Sequence, residues 1–330
     1  MRPTIPLLPL LALLPCLACY GAVEPSSTIP YVHDDREEPR CGADVGVALE
    51  LEAPQAMETR EDGAIVIAHG SASAVAAVAI ARWGDDRLLH VVAEHPQTAP
   101  VVALSARGDA FTTADGKVWA LPGDGPPVLL AAGRARVRAV AISATRAYWS
   151  ESGPDGSILV GMGVPGGTPE PLATLPGPEA ARGLWIGGTS LLYAIDLGPR
   201  TRFGSVSIPI GGLREQVLYE GLVTSDILGG SLSVTFGTTA GITTMTAPPD
   251  PSGQVAIETV ATENPVVEQA GGVYHDAPSL QLRRVTPDGS RVRAYGVSGV
   301  TNLRASRRCA LWLDRAGGSA GTGAVLAVSL

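Results

Sequence analysis

The sequence predicts an all-β fold, a seven-bladed β-propeller in which an N-terminal strand completes the last blade. Glycine (40) and proline (27) together make up 67 of the 330 residues, and such frequent interruption is typical of short strands joined by tight turns. A pattern of strands and turns recurs about every 40 residues, which indicates propeller blades. The last copy of this pattern lacks one strand, and a strand-like segment near the start can supply it.

The chain begins with a predicted signal peptide, residues 1–18. Arg2 supplies a positive charge, and the apolar run Ile5–Leu17 is too short to span a membrane. Ala18-Cys19 resembles the lipobox of bacterial lipoproteins, in which a cysteine that follows a small residue becomes lipidated. The resemblance implies an exported bacterial protein that carries a lipid on Cys19. Ordinary secretion, with cleavage near Ala22, is the alternative.

Residues 19–44 are expected to form an acidic, proline-rich tether. They contain three prolines and the charged run at 34–38, with almost no periodic apolar pattern. A segment of this composition does not bury enough apolar surface to fold. The propeller is therefore expected to occupy residues 45–330.

The clearest copy of the repeat begins at the strand Ala139–Ile142. It continues through a strand that contains Tyr148-Trp149-Ser150-Glu151, then through the strand Ser157–Val160, and ends at the turn Pro165–Gly167. The Tyr-Trp-Ser-Glu segment resembles the Tyr-Trp-Thr-Asp motif of the YWTD and NHL-like propeller repeat family of secreted proteins. That resemblance implies the fold and carries no specific function.

Aligning the first strand of each unit predicts seven blade starts at spacings of 37 to 44 residues, near Ala64, Val101, Ala139, Gly183, Asp226, Val266 and Leu303. The first and fifth units are the least regular, and Ser71–Ala81 is rich enough in alanine for a helix. Tryptophan recurs at similar places in different units, which predicts packing between blades: Trp83, Trp119, Trp149, Trp185 and Trp312.

The seventh unit ends with only its third strand, at Ala324–Leu330. We expect Val45–Leu51 to pair there as the outer strand and close the ring. Cys41 precedes this strand, and Cys309 lies in the last unit. They are the only cysteines after Cys19, and disulfides persist in the oxidising compartments that exported proteins reach. We therefore expect a Cys41–Cys309 disulfide, with two unpaired thiols as the alternative.

Two glycine motifs are better explained as turns than as chemical sites. Gly161–Gly166 matches G-x-G-x-x-G, but Pro169 and Pro171 follow where a dinucleotide site needs a helix. Gly317–Gly321 matches G-x-S-x-G, but no histidine follows Ser319 to complete a triad. No catalytic residue, cofactor or metal site is therefore predicted.

Charge and residue content favour a non-catalytic binding or scaffold role at the bacterial cell envelope. The net charge is −8 and basic residues are not clustered as in nucleic-acid-binding proteins, so no nucleic-acid partner is expected. We expect a monomer that meets the membrane only through the lipid on Cys19 and binds a protein or glycan; plain secretion and a purely stiffening role remain open. The alternative is a propeller-type lyase or lactonase with a channel-face site drawn from His95, His275, Glu94, Asp226 and Glu268.

Overall fold

The computed structural model of the chain describes residues 40–70, 76–153, 156–177, 179–187, 190–207, 215–229, 233–246, 256–262, 264, 266, 268–270, 272–286, 289–306, 308–315 and 322–330. All regular structure in these ranges is β-strand, arranged as seven four-stranded antiparallel sheets. The all-β, seven-bladed propeller is thus confirmed. The signal peptide, Cys19 and the G-x-S-x-G segment at 317–321 lie outside the described residues. No helix within the described ranges is long and apolar enough to cross a bilayer.

The strands are numbered in chain order, beginning with β1 (Gly46–Leu51). Blade 1 contains β2 (Ala56–Thr59), β3 (Ile65–His69), β4 (Ala76–Trp83) and β5 (Leu89–Gln97). Blade 2 contains β6 (Val101–Leu104), β7 (Ala110–Thr113), β8 (Val118–Ala120) and β9 (Val128–Ala131). Blade 3 contains β10 (Ala139–Ile142), β11 (Arg146–Gly153), β12 (Gly156–Gly163) and β13 (Glu170–Leu175). Blade 4 contains β14 (Gly183–Gly187), β15 (Ser190–Leu197), β16 (Arg200–Ser207) and β17 (Glu215–Gly221).

Blade 5 contains β18 (Ile227–Gly229), β19 (Ser233–Thr238), β20 (Gly241–Thr246) and β21 (Ala256–Ala261). Blade 6 contains β22 (Glu268–Ala270), β23 (Val273–Asp276), β24 (Gln281–Thr286) and β25 (Gly289–Tyr295). Blade 7 contains β26 (Thr301–Ser306), β27 (Cys309–Asp314) and β28 (Gly323–Ser329), and its fourth strand is β1.

Six of the seven expected blade starts fall within two residues of an inner strand, but the first is wrong by one strand. Ala64 precedes β3, the second strand of blade 1, whose inner strand is β2. The four residues of β2 include only one fully buried side chain, that of Met57, whereas all of β3 is buried. The apolar pattern of β2 is therefore too weak to stand out in the sequence.

The alanine-rich segment of the first unit is a strand, β4, from residue 76 onward and not a helix. Its residues 76–81 are all buried, because β4 lies between β3 and β5 and both of its faces pack inside the ring. A strand buried on both faces shows no alternation of polar and apolar residues. This is why its pattern does not distinguish it from a buried helix.

The ring closes as expected through β1. The strand order in blade 7 is β1-β28-β27-β26, and Val47 lies opposite Leu326 across the antiparallel pair. Blade 7 therefore combines both ends of the propeller, and its junction with blade 1 is called the seam below.

The Cys41–Cys309 disulfide is present, with the two Cα atoms 6.0 Å apart. Cys309 begins β27, so β28 separates it from β1. The chain that leads into β1 crosses this gap: Ser329 lies opposite Cys309, and its amide donates to the carbonyl of Gly42 at 2.9 Å. Both cysteines are buried in the apolar cluster that joins blades 7 and 1.

All five tryptophans pack in clusters that join neighbouring blades. Trp149 and Trp312 are fully buried, and Trp185 is nearly so. Trp149 contacts the blade 2 cluster around Val118, and Trp312 contacts Leu282 of blade 6. The expectation that the tryptophans recur at similar places is wrong: Trp185 lies on a first strand, Trp149 and Trp312 lie on second strands, and Trp83 and Trp119 lie on third strands. Large rings therefore join neighbouring blades, but from different strands.

Candidate functional site

The antiparallel order of each blade places alternate turns at opposite ends of the ring. Turns between first and second strands, and between third and fourth strands, share one face, here called the hairpin face. Turns between second and third strands share the other face with the links between blades, here called the connection face. Binding residues in proteins concentrate on loops held by a rigid scaffold, so the turns of either face can form a binding site.

An open cleft of about 490 Å³ lies on the hairpin face, across blades 1, 2 and 3. Its volume is within the range of small-molecule and peptide-side-chain sites. Five turns supply its walls: β2–β3 of blade 1, β6–β7 and β8–β9 of blade 2, and β10–β11 and β12–β13 of blade 3. The charged residues that line it are Arg60, Glu61, Asp62, Arg107 and Asp109.

Arg60 ties the blade 1 turn to two turns of blade 2. Its side chain is only 8% exposed, and its guanidinium donates to the carbonyls of Gly108 at 2.9 Å, Gly123 at 2.6 Å and Leu121 at 2.8 Å. Burial lowers the pKa of Arg60 from its very high ordinary value, and the neighbouring carboxylate of Asp62 acts against this. The role of Arg60 is therefore to fix the cleft wall.

Arg82 on β4 holds the acidic rim of the same wall. Its Nη2 donates to Asp62 Oδ2 at 2.8 Å, and its Nε and Nη2 donate to the two carboxylate oxygens of Asp124 at 3.1 and 2.9 Å. Partial burial works to raise the pKa of Asp62, but the hydrogen bonds from Arg82 and from the Ala64 amide outweigh it, and the pKa is lowered. The carboxylates of Asp62 and Asp124 therefore have a structural role, because both accept hydrogen bonds from Arg82.

Gly108 lets the blade 2 turn approach blade 1. Its φ is +62°, and a Cβ added there would stand 2.9 Å from Cγ2 of Val66. A left-handed φ favours glycine, and the close approach leaves no room for a side chain. The carbonyl of Gly108 is consequently placed where Arg60 reaches it.

Asp109 lines the cleft beside Arg107. Ser105 Oγ donates to Asp109 Oδ1 at 2.6 Å. Burial raises the pKa of Asp109, while the hydrogen bond from Ser105 and the charge of Arg107 act against it. Arg107 and Asp109 also line a recess of about 20 Å³ next to the inner strands, where Leu184 and Trp185 supply apolar walls. The recess is about the size of one water molecule or a methyl group.

Arg107 and Glu61 form the exposed lip of the cleft. They pair with each other, but their side chains are 47% and 74% exposed. An exposed ion pair contributes about 0–1 kcal/mol of stability. These two side chains can therefore leave each other and contact a ligand at a small cost in free energy. The cleft therefore offers a cation, carboxylates and a small apolar recess within one concave surface.

A second charged cluster lies on the inner strands at the seam. Arg304 on β26 donates to both carboxylate oxygens of Glu58 on β2, at 2.9 and 2.7 Å, and its Nη1 lies 4.0 Å from Asp226 Oδ2. Burial raises the pKa of Glu58, and Arg304 opposes that rise. The two hydrogen bonds between Arg304 and Glu58 connect an inner strand of blade 7 to an inner strand of blade 1. The main role of this cluster is therefore to join the two blades.

The five residues expected for a lyase or lactonase site are not brought together in the described structure. The ring N–H of His275 donates to the Val297 carbonyl at 2.9 Å, inside blade 6. Glu94 and His95 are neighbours on β5 and so point to opposite faces of the blade. Oε1 of Glu94 instead lies 3.1 Å from Nε2 of the buried His69. Oδ2 of Asp226 lies 4.0 Å from Nη1 of Arg304. Glu268 begins β22, and its side chain is outside the described part.

The cleft residues were missed because blade 1 was aligned one strand out of register. Counted from β2, Arg60-Glu61-Asp62 of blade 1 and Arg107-Gly108-Asp109 of blade 2 occupy the same first-to-second-strand turn. Charged residues recurring in equivalent turns of two blades were the available signal.

Comparison with solved structures gives several matches of low sequence identity. Hydrazine synthase from Kuenenia stuttgartiensis is 13% identical, with 84% of this chain and 96% of that chain covered at a TM-score of 0.55. A prolyl endopeptidase is 14% identical, with 86% and 47% covered at a TM-score of 0.51. What they share with this chain is the propeller fold.

Other comparisons add no assignment. A chain from a nidogen–laminin complex is 14% identical, with 66% of this chain and 84% of that chain covered at a TM-score of 0.45. No family model and no curated protein matches this sequence. The function of this propeller must therefore be argued from its own surface.

Proposed function

We propose that this protein is a non-catalytic binding propeller of the bacterial cell envelope whose ligand site is the hairpin-face cleft. The observation that carries the proposal is the cleft of about 490 Å³ built from turns of three neighbouring blades. Arg60 holds its wall rigidly through three backbone carbonyls. A preorganised wall lowers the entropic cost of binding, and Arg107 and Glu61 remain available at the lip.

The cleft chemistry favours a protein segment as the ligand. Arg107 and Asp109 line both the cleft and the small apolar recess, and Glu61 lines the cleft beside them. This surface complements a peptide that carries charges of both signs and one small apolar side chain. Charge complementarity of this kind sets specificity and association rate more than affinity. A glycan is the other ligand class that the test below can reveal.

The envelope location rests on the predicted signal peptide at 1–18, the lipid on Cys19 and the tether at 19–44. The Cys41–Cys309 disulfide supports it, because disulfides persist in oxidising compartments such as the periplasm and the cell surface. Near the end of the tether, Cys41 and Gly42 contact blade 7 through the disulfide and a hydrogen bond. The tether would therefore present the propeller at the membrane surface from its seam.

The test is capture of a partner from envelope extract with charge-swapped variants. The cleft variant Glu61→Arg/Arg107→Glu keeps the ion pair and the net charge but reverses the lip. A matched control, Arg138→Glu/Glu179→Arg, reverses a similarly exposed pair (44% and 66%) in the blade links of the connection face. Wild type and control should capture the same partner, and the cleft variant should lose it.

Retention of the partner by the cleft variant would refute the cleft as the binding site. Treating the extract with protease before capture separates the ligand classes. Loss of the captured species supports a protein ligand, and its survival would replace the protein by a glycan.

A further inference from the structure

The outer strand of blade 5, β21, is exposed along its whole length. All six of its residues, on both faces of the blade, are exposed to solvent. Within the described part of the chain, each of the other six outer strands contains at least one residue that is buried or half-buried. Ile257 and Val260 are 44% and 37% exposed, although both are apolar. No strand pairs with the outer edge of β21 in the described sheets, so this edge is accessible to another chain.

β21 also lacks an irregularity that the other outer strands share. In each of the other six blades, the pairing between the third strand and the outer strand contains a register shift. β20 and β21 pair without one, from Ala256 to Ala261. Bulges, charges and prolines protect a sheet edge against further pairing, and β21 carries only one charged residue, Glu258, and no proline. Its edge therefore offers a regular ladder to an added strand.

β21 is complementary to a second copy of itself. Two identical neighbouring strands related by a twofold axis pair antiparallel, and the residue at the axis lies opposite its own copy. Two registers overlap five of the six residues, one centred on Glu258 and one centred on Thr259. The register centred on Glu258 places two carboxylates directly opposite each other, which destabilises a sheet.

The register centred on Thr259 avoids this repulsion. It places the two copies of Thr259 opposite each other, and cross-strand threonine pairs stabilise a sheet. Glu258 of one protomer then lies opposite Val260 of its partner, and Ile257 lies opposite Ala261. Each exposed apolar side chain of the strand thus gains a cross-strand neighbour.

We propose that the protein forms a twofold dimer in which β21 pairs antiparallel with β21 of a second copy, in the register centred on Thr259. The two blade 5 sheets, each of four strands, become one continuous sheet across the axis. All residues that line the hairpin-face cleft belong to blades 1–3, so the dimer carries two accessible clefts and does not depend on their ligand. The dimer replaces the monomer expected from the sequence, in which the exposure of β21 is not visible.

Sedimentation equilibrium of the purified full chain, in non-ionic detergent, measures the dimer as a function of concentration. A strand pair is a small interface, so the dimer should be reversible and its fraction should rise with concentration. Val260→Glu should weaken dimerisation by at least about tenfold, because it places a carboxylate opposite Glu258 twice in each dimer. Val260→Lys places the opposite charge at the same position and should leave dimerisation unchanged or strengthen it.

Val217→Glu is the matched control outside blade 5. Val217 is 50% exposed on β17, the outer strand of blade 4, whose pairing with β16 contains a register shift. This control should change dimerisation by less than about threefold. A wild type that stays monomeric throughout, equal losses in Val260→Glu and Val217→Glu, or a loss in Val260→Lys as large as that in Val260→Glu would each overturn the proposal.

A cysteine at the axis tests the register without a change of charge. Thr259→Cys places two thiols opposite each other, on neighbouring strands close enough for a disulfide, so mild oxidation should yield a covalent dimer on a non-reducing gel. Thr174→Cys, at an exposed threonine in the outer strand of blade 3, should stay monomeric. No covalent dimer from Thr259→Cys, or equal amounts from both variants, would also overturn the proposal.

Discussion

At the residue scale, Gly108 determines how closely the blade 2 turn approaches blade 1. Gly108→Ala adds a methyl group 2.9 Å from Val66 at a left-handed φ of +62°. We expect a loss of about 2–4 kcal/mol of stability, from backbone strain and from overpacking. Thermal unfolding of the purified chain measures it.

Gly123→Ala is the matched control for that substitution. Gly123 also has a left-handed φ, +56°, and also accepts from Arg60, but an added Cβ there meets nothing within 4 Å. We therefore expect a loss of about 1–2 kcal/mol of stability, from backbone strain alone. Equal losses in the two variants would show that the contact with Val66 does not limit the turn.

Asp109 gives a pH-dependent prediction at the same scale. Burial raises its pKa in the folded chain, so its contribution to stability is greatest below the unfolded pKa, about 3.9, and falls as pH rises through the folded value. Asp109→Asn should reduce this fall in urea-unfolding curves measured across the pH range.

Asp115→Asn should change the pH dependence with the opposite sign. Desolvation works to raise the pKa of Asp115, but hydrogen bonds from Lys117 and Thr113 outweigh it and the pKa is lowered. Stability from Asp115 is present above its unfolded pKa and is lost as pH falls, so the variant should lose stability at neutral pH. If both substitutions changed the pH dependence of stability in the same direction, the environments assigned to Asp109 and Asp115 would be contradicted.

At the scale of elements, the seam joins strands from the two ends of the propeller. The inner strands β2 and β26 are joined by Glu58 and Arg304, whose side chains are 15% and 7% exposed. Arg304→Met leaves a buried carboxylate without its main partner, for which we expect a loss of about 3–5 kcal/mol.

The double variant Glu58→Gln/Arg304→Met removes both charges and should be less destabilised than Arg304→Met alone. Denaturant unfolding of the two variants measures the difference. If the double variant is the less stable of the two, the penalty does not come from a stranded charge.

The disulfide ties the segment before β1 to β27 in blade 7, within the apolar cluster at the same junction. It closes a loop with a sequence separation of 268 residues, which corresponds to about 5.6 kcal/mol in the chain-entropy description. Reduction should lower the melting temperature of the wild type and leave that of Cys309→Ser unchanged. A reduced wild type that melts at its oxidised temperature would mean that the strand pairing alone sustains the seam.

At the scale of the whole molecule, the repeat made the propeller fold predictable from the sequence. It did not predict the hairpin-face cleft. The spacing of turns recurs from blade to blade, and tryptophan occurs in blades 1, 2, 3, 4 and 7, because each blade must pack against its neighbours in a similar way. The missing strand of blade 7 and the two spare cysteines predicted closure for the same reason. These features follow from the local pattern of the sequence, so they can be predicted from the sequence alone.

The cleft could not be predicted in this way, since it depends on which turns share a face. The weak pattern of β2 shifted blade 1 by one strand, and Arg60-Glu61-Asp62 then did not align with the equivalent turn of blade 2. Of the histidines and carboxylates singled out instead, Glu94 and His95 point to opposite faces of blade 1, because adjacent strand residues alternate. Register within a blade therefore decides where candidate residues meet.

The hairpin-face cleft is tested most directly by photo-crosslinking in intact cells. A photoreactive residue at Ala144, an exposed position of the cleft, should crosslink to a discrete partner, and the same residue at Glu179 on the connection face should not. A discrete crosslink formed only from position 179 would contradict the cleft as the binding site.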